Sequence, residues 1–474
     1  MSPLVLALTG HHGQVSETIT IFVALLGGAA VVGVMTKFIR LPYTIALVLA
    51  GLLVAIFKAA PPEAVITHDL VFVLFLPPLL FQAGLHLDLE HLQRKATVVA
   101  VLAIPGVILS MFIVALAVEP FLARNLAEEA GLWLAALLFG AMLAPTDPIS
   151  VLATFKTAGA PEGLKTLVEG ESLFNDGTGV VLFLILLAAV FPRALPTADQ
   201  AAVDLHETPV AMVAADDAAE GEIPPAVETP APTQAEENAH PTISIALAVQ
   251  QFVKVVGLGV IMGLGLGLIA LWLLKRLDDH VLENAITIVL AWGSYIVSES
   301  VGGSGVIAVV VAGLIMGNYG HRLAMSKRTS ETINTFWESI DFIVNSIVFL
   351  LIGFELQAIG GLDALRNPSV LLAVIVVYLA ILIARAAMVY PTVLLYGRDW
   401  PGPWKHIAFW AGMKGSIPMA LVLGLPAGEL KTFLVPIAFG VVLVSLLLQG
   451  LTMPILMKRL GVSAEERVMA RDDR

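Results

Sequence analysis

The 474-residue sequence contains no cysteine, which removes disulfides, thiolate metal sites and haem attachment from consideration. Charge is also scarce. Charged residues make up 14% of the chain and hydrophobic residues 58%, against roughly 25% charged in soluble domains. Residues 194–253 hold no Lys or Arg but ten Asp or Glu, so of the formal charge of −12 only −2 is left for the rest. No basic patch invites nucleic acid. Residues 1–13 lack a basic n-region, so no cleaved signal peptide is expected. No nucleophile–base constellation points to an enzyme. Adjacent histidines at 11 and 12 do not make a metal site without further ligands.

What remains is apolar. Runs long enough to cross roughly 30 Å of hydrocarbon recur from end to end, and the pattern predicts an all-α polytopic membrane protein of about thirteen transmembrane helices. The expected division is an external segment 1–18, six helices over 19–191, a linker 192–241, a connecting helix 242–275, six more helices over 281–457 and a cytoplasmic tail 458–474. The fourth span is read as 96–118, the fifth as 131–156 and the tenth as 330–356. Short-loop Lys and Arg follow the odd-numbered spans, which places the N-terminus outside and the C-terminus inside a plasma (inner) membrane. The linker is rich in Ala, Pro, Asp and Glu, a composition that favours disorder. It reads as a tolerated tether or as a gatherer of cations.

Six spans, a connector and six spans of opposite entry side are the pattern of inverted repeats in secondary transporters. Corresponding spans share a defect. Ala144-Pro145-Thr146-Asp147-Pro148 interrupts the fifth span, and Gly412-Met413-Lys414-Gly415-Ser416-Ile417-Pro418 its counterpart. Proline removes a backbone donor and crowds the preceding turn, so a pair of broken, crossing helices is expected.

The sixth span carries Glu171-Ser172-Leu173-Phe174-Asn175-Asp176 inside an apolar run. At 100° per residue Ser172 and Asp176 stack one turn apart, with Glu171 and Asn175 in the adjacent column. A carboxylate at this depth is costly and reads as functional. A dehydrated monovalent cation needs several oxygens, one or more of them anionic. Asp176 and Ser172 offer such a set, and the break at Thr146-Asp147 offers freed carbonyls and a second carboxylate. One carboxylate that takes either a cation or a proton is a sufficient basis for antiport, with no cofactor. Arg385 and Lys414 are basic groups at membrane depth, and each is expected to have an acidic partner. Glu171, aided by Asn175, is the candidate for Arg385; Lys414 would neutralise backbone dipoles or a carboxylate near the crossing. Glu338, Asp341 and Asn345 share a helix face that is either the approach to the site or the wet start of the span. Gly259, Gly263 and Gly267 repeat every four residues and predict close helix packing.

Together these residues resemble a sodium/proton antiporter of the NhaP/NHE type, within the monovalent cation:proton antiporter family. The resemblance covers roughly 17–460 and rests on Gly170 to Gly179, on the two broken stretches, and on Leu76-Pro77-Pro78-Leu79-Leu80-Phe81, Ser304 to Val309 and Phe336-Trp337-Glu338. It implies a thirteen-span inverted-repeat fold, a homodimer, and a core moving against a dimerisation domain in alternating access. It also implies Na⁺ (or Li⁺) exchange for H⁺, with Asp176 the shared carboxylate and Asp147, Ser172, Thr146 (through its backbone) and Gln82 around the ion. Glu171, Asn175, Arg385 and Lys414 resemble the structural network. An Asn-Asp pair suggests electroneutral exchange. Gln82 stands where relatives often have Glu or Asp, and Lys414 replaces a usual Arg. K⁺/H⁺ exchange, a cation channel or a transport-dead sensor on the same fold are the alternatives.

Overall fold

Proline, glycine and buried polar residues decide where these helices stop. A computed structural model describes residues 23–57, 70–126, 131–191, 245–358 and 363–462, apart from single residues and short gaps within them. The external segment, the acidic linker, most of the C-terminal tail and several basic loop residues (Lys37, Arg40, Arg94, Lys156, Arg398) lie outside the described residues. Among the described residues every regular element is helical.

The longer ones are, in chain order, α1 (Leu25–Thr36), α2 (Tyr43–Ile56), α3 (Leu76–His86), α4 (Ala96–Asn125), α5 (Leu132–Leu143), α6 (Glu162–Val190) and α7 (Ile245–Leu274). They continue as α8 (His280–Ser300), α9 (Gly305–Ile315), α10 (Lys327–Ala358), α11 (Pro368–Tyr396), α12 (Trp404–Trp410), α13 (Ser416–Leu423) and α14 (Glu429–Arg459). Six helices among the described residues are long and apolar enough to cross a membrane: α4, α6, the stretch Gln250–Leu274 of α7, α8, α11 and α14.

The fourth span was expected to end at 118, before Glu119-Pro120. Instead α4 runs through Pro120 to Asn125, with a kink at Ile104 ahead of Pro105. Packing against α5 and α11 holds the last turns in place, and Asn125 Nδ2 donates to the Phe121 carbonyl at 2.7 Å. Tertiary contact outweighs one lost backbone bond. At the start of α8 the Asp279 carboxylate accepts from the N–H groups of Val281 and Leu282. Those two donors hold its carboxyl below the usual carboxylate range.

The helices gather in two lobes. In one, α4 packs on α5 and α11, α5 on α6, and α14 on α11 and α13. In the other, α2 packs on α10, α3 on α9 and α10, and α7 on α8 and α9. Fewer contacts join the lobes, chiefly α6 on α7 and α9, and α10 on α13.

The glycine repeat on α7 does what its spacing predicts. A Cβ at Gly263 would lie 2.5 Å from the Ala308 carbonyl oxygen, and one at Gly259 would lie 2.7 Å from that of Ser304. The backbones of α7 and α9 therefore touch. Gly263→Val should cost about 1–3 kcal/mol through overpacking, read as a lower melting temperature in detergent. An unchanged melting temperature would contradict backbone contact there.

Candidate ion-binding site

The site begins with two helices that cannot continue. α5 ends at Leu143, residues 144–147 are non-helical, and helix resumes at Pro148. Ala144 keeps helical dihedrals (φ −67°, ψ −44°), but Pro145 offers no N–H to continue the helix, and Pro148 disfavours helical geometry in Asp147 before it. In the counterpart, α12 ends at Trp410 and α13 starts at Ser416, with Ala411 to Gly415 between. Such backbone needs partners other than lipid.

The two breaks supply them to each other. The Asp147 N–H donates to the Met413 carbonyl at 2.8 Å. Lys414 Nζ donates to the carbonyls of Ala144 and Pro145 at 2.8 and 3.0 Å. The Lys414 N–H donates to Ser445 Oγ at 3.0 Å, Ser445 Oγ to Gln449 Oε1 at 2.5 Å, and Gln449 Nε2 to the Trp410 carbonyl at 3.1 Å. Gln449 lies in a π-helical turn, Leu446–Gly450, within α14. The expectation of an acidic partner for Lys414 is therefore corrected. The residue is 3% exposed, and its ammonium is held by two carbonyls left over from the first break, the dipole alternative considered above.

α6 passes the crossing with Glu171, Ser172, Asn175 and Asp176 all buried. The columns separate as the helical spacing predicts. Thr146 N–H donates to Asp176 Oδ1 at 3.1 Å, and the hydroxyls of Thr146 and Ser172 share a hydrogen bond of 3.0 Å. The Thr146 backbone thus meets the site through its donor. In the other column Arg385 pairs with Glu171 in a fork, Nη1 to Oε1 at 2.5 Å and Nη2 to Oε2 at 2.7 Å. Arg385 Nη2 also reaches the Ala408 carbonyl at 2.9 Å, which joins α11, α6 and α12. Asn175 Nδ2 bridges the columns, 3.4 Å from both Glu171 Oε1 and Thr146 Oγ1.

A cavity of ≈ 630 Å³ reaches this crossing and is lined by Asp176, Asp147, Thr146, Gln82, Asp341 and Asn345, among others. Asp88, Glu162, Glu169 and Glu338 also line it, and His86 Nε2 lies 3.9 Å from Glu338 Oε1. Half-buried Gln82 presents a neutral amide where an acid would add charge. The arrangement offers two carboxylates, hydroxyls and backbone groups to a hard cation arriving through water.

The transmembrane part of the sodium/hydrogen exchanger model matches residues 21–459. The chain belongs to the sodium/hydrogen exchanger family. That is a family of membrane antiporters, not enzymes. The Na⁺/H⁺ antiporter NhaG of Bacillus atrophaeus is 36% identical over 454 residues, covering 92% of this chain and 74% of that protein. The Na⁺/H⁺ antiporter NhaP of Pseudomonas aeruginosa is 32% identical over 449 residues, covering 90% of this chain and 92% of its own. The solved sodium proton antiporter MjNhaP1 of Methanocaldococcus jannaschii superposes with a TM-score of 0.66 at 18% identity, covering 94% of this chain and 99% of that one. That likeness establishes an antiporter fold.

Within this exchanger-family frame, sequence reasoning missed Ser445 and Gln449, although two polar residues in a Leu-rich stretch were the available signal. Ser416 is visible in the sequence only as part of the second break. Of the two readings open for the Glu338–Asp341–Asn345 face, the structure favours the approach to the site, since all three line the cavity.

Proposed function

We propose that the chain exchanges Na⁺ (or Li⁺) for H⁺ across the membrane by alternating access. The observation that carries this reading is the arrival of Asp176 and Asp147, from α6 and from the first break, at one water-accessible cavity. With Asp176 ionised, the cation sits among Asp176, Asp147, Ser172, Thr146 and Gln82. When the cation leaves, Asp176 takes a proton, because an uncompensated carboxylate at this depth is costly. Cation and proton therefore compete for one group, and neither needs a cofactor.

The charge inventory supports electroneutral exchange. Glu171 and Arg385 neutralise one another in a fork. Lys414, buried on the Ala144 and Pro145 carbonyls, brings one positive charge against the two carboxylates of the site. Asn175 adds no charge, so Asp176 alone is free to trade one proton for one cation. Weak packing between the lobes fits movement of one against the other. Thirteen spans in two inverted repeats, a homodimer, and a plasma-membrane location with the N-terminus outside complete the reading.

The test is exchange in proteoliposomes under an imposed pH gradient, with Na⁺, Li⁺ and K⁺ compared. Na⁺ or Li⁺ should collapse the gradient at rates independent of membrane potential. A response to K⁺ alone would make this a K⁺/H⁺ exchanger, and a potential-dependent rate would contradict electroneutrality. Deleting 196–238 should leave turnover within about twofold, since a segment of this composition forms no packed core. A large loss of cation affinity on deletion would favour the cation-gathering role instead.

A further inference from the structure

α10 reaches into the crossing from the opposite lobe. Asn345 Nδ2 donates to Asp341 Oδ1 at 2.9 Å and to the Asp341 carbonyl at 3.1 Å. Its donor end is thereby committed, and its amide oxygen faces Ser416, whose hydroxyl donates to it at 2.9 Å. All three residues are buried, at 9%, 6% and 7% exposure. Bonds withdrawn from water to this degree are sensitive to loss of either partner.

Ser416 is the first residue of α13, and the residue before it touches the proposed ion site. A Cβ on Gly415 would fall 2.4 Å from Asp147 Cβ and 2.7 Å from Asp147 Oδ2. The backbone there lies flat against the carboxylate, so a shift at the start of α13 reaches Asp147 directly. A continuous path of contacts thus runs from Asp341 through Asn345 and Ser416 to an ion-site acid.

We propose that Asp341 and Asn345 are positioning residues that hold the second break, and through it Asp147, in ion-binding geometry. The inference rests on the exchange reading above. It makes site geometry depend on lobe position. With the lobes as they stand, Ser416 is tied to α10 and the site is organised towards the cavity. When one lobe moves against the other, this bond must break, and Gly415 is free to shift against Asp147. The chain therefore favours the cavity-open arrangement and tightens cation binding in it.

The natural absence of cysteine gives a clean background for the test. Ala83→Cys places a single thiol on the cavity wall, and its labelling by a membrane-impermeant maleimide reports the open population. In proteoliposomes, Ser416→Ala and Asn345→Leu should each raise the apparent KM for Na⁺ and slow labelling, with the open:closed ratio read from it lowered about fivefold, the size expected for one hydrogen bond, and maximal rate retained. Ser416→Thr, which keeps the hydroxyl, should restore both. The double variant should do no more than Asn345→Leu alone, because that change already removes the Ser416 bond together with those to Asp341. Wild-type KM and labelling in Ser416→Ala would overturn the proposal, as would a lower maximal rate at constant KM. If the wild type exchanged no cation, the exchange reading itself would fall, and labelling would still decide whether the chain holds the cavity open.

Discussion

Asp176→Asn abolishes exchange and leaves the protein folded. The amide oxygen can still accept from the Thr146 N–H, now 3.1 Å from Asp176 Oδ1, so the crossing keeps its hydrogen bond. What is lost is the charge that holds a cation and the group that takes up and releases the proton. Gradient-driven Na⁺ uptake should fall to that of protein-free vesicles. The melting temperature in detergent should stay or rise, because a buried charge has been removed. Exchange at the wild-type rate would sink the assignment of Asp176.

The second large effect concerns the scaffold. Arg385→Ala leaves Glu171, 2% exposed, without its fork, and breaking a buried ion pair by removing one partner costs about 3–5 kcal/mol. Glu171→Ala should cost a similar amount, because it strands the guanidinium. Replacing both with apolar residues of similar volume should recover much of the loss, since no unpaired charge remains. Thermal unfolding of the two single variants and the double variant measures this coupling. Additive losses would show that the fork seen between α6 and α11 contributes little.

The fork was legible in the sequence although its partners lie 214 residues apart. An arginine in the middle of an apolar span demands a carboxylate, and Glu171 offered one on a helix whose other column was free for an ion. The separation of two columns along α6 followed from helical geometry, and the two breaks followed from proline and glycine. Lys414 was less legible. Charge matching suggests a carboxylate for a buried ammonium, yet two interrupted helices facing each other leave carbonyl oxygens uncovered, and these are nearer. Asn345 and Ser416 show a different limit. Helical periodicity places Asn345 on one face with Asp341, but nothing in the pattern says that this face meets the start of α13. That contact depends on how the lobes sit together. The length of α4 beyond Pro120 was hidden for the same reason: the neighbours that stabilise its last turns are distant in sequence.

The claim at the centre of this account is that cation and proton share Asp176. Steady-state exchange measured at equal pH on both sides of the membrane tests it most directly. Below the pH at which Asp176 is half protonated, each unit of acidification should raise the apparent KM for Na⁺ about tenfold, with maximal rate unchanged, as competition for one group requires. A maximal rate that falls with acidification while KM stays constant would place the proton elsewhere and contradict the shared site.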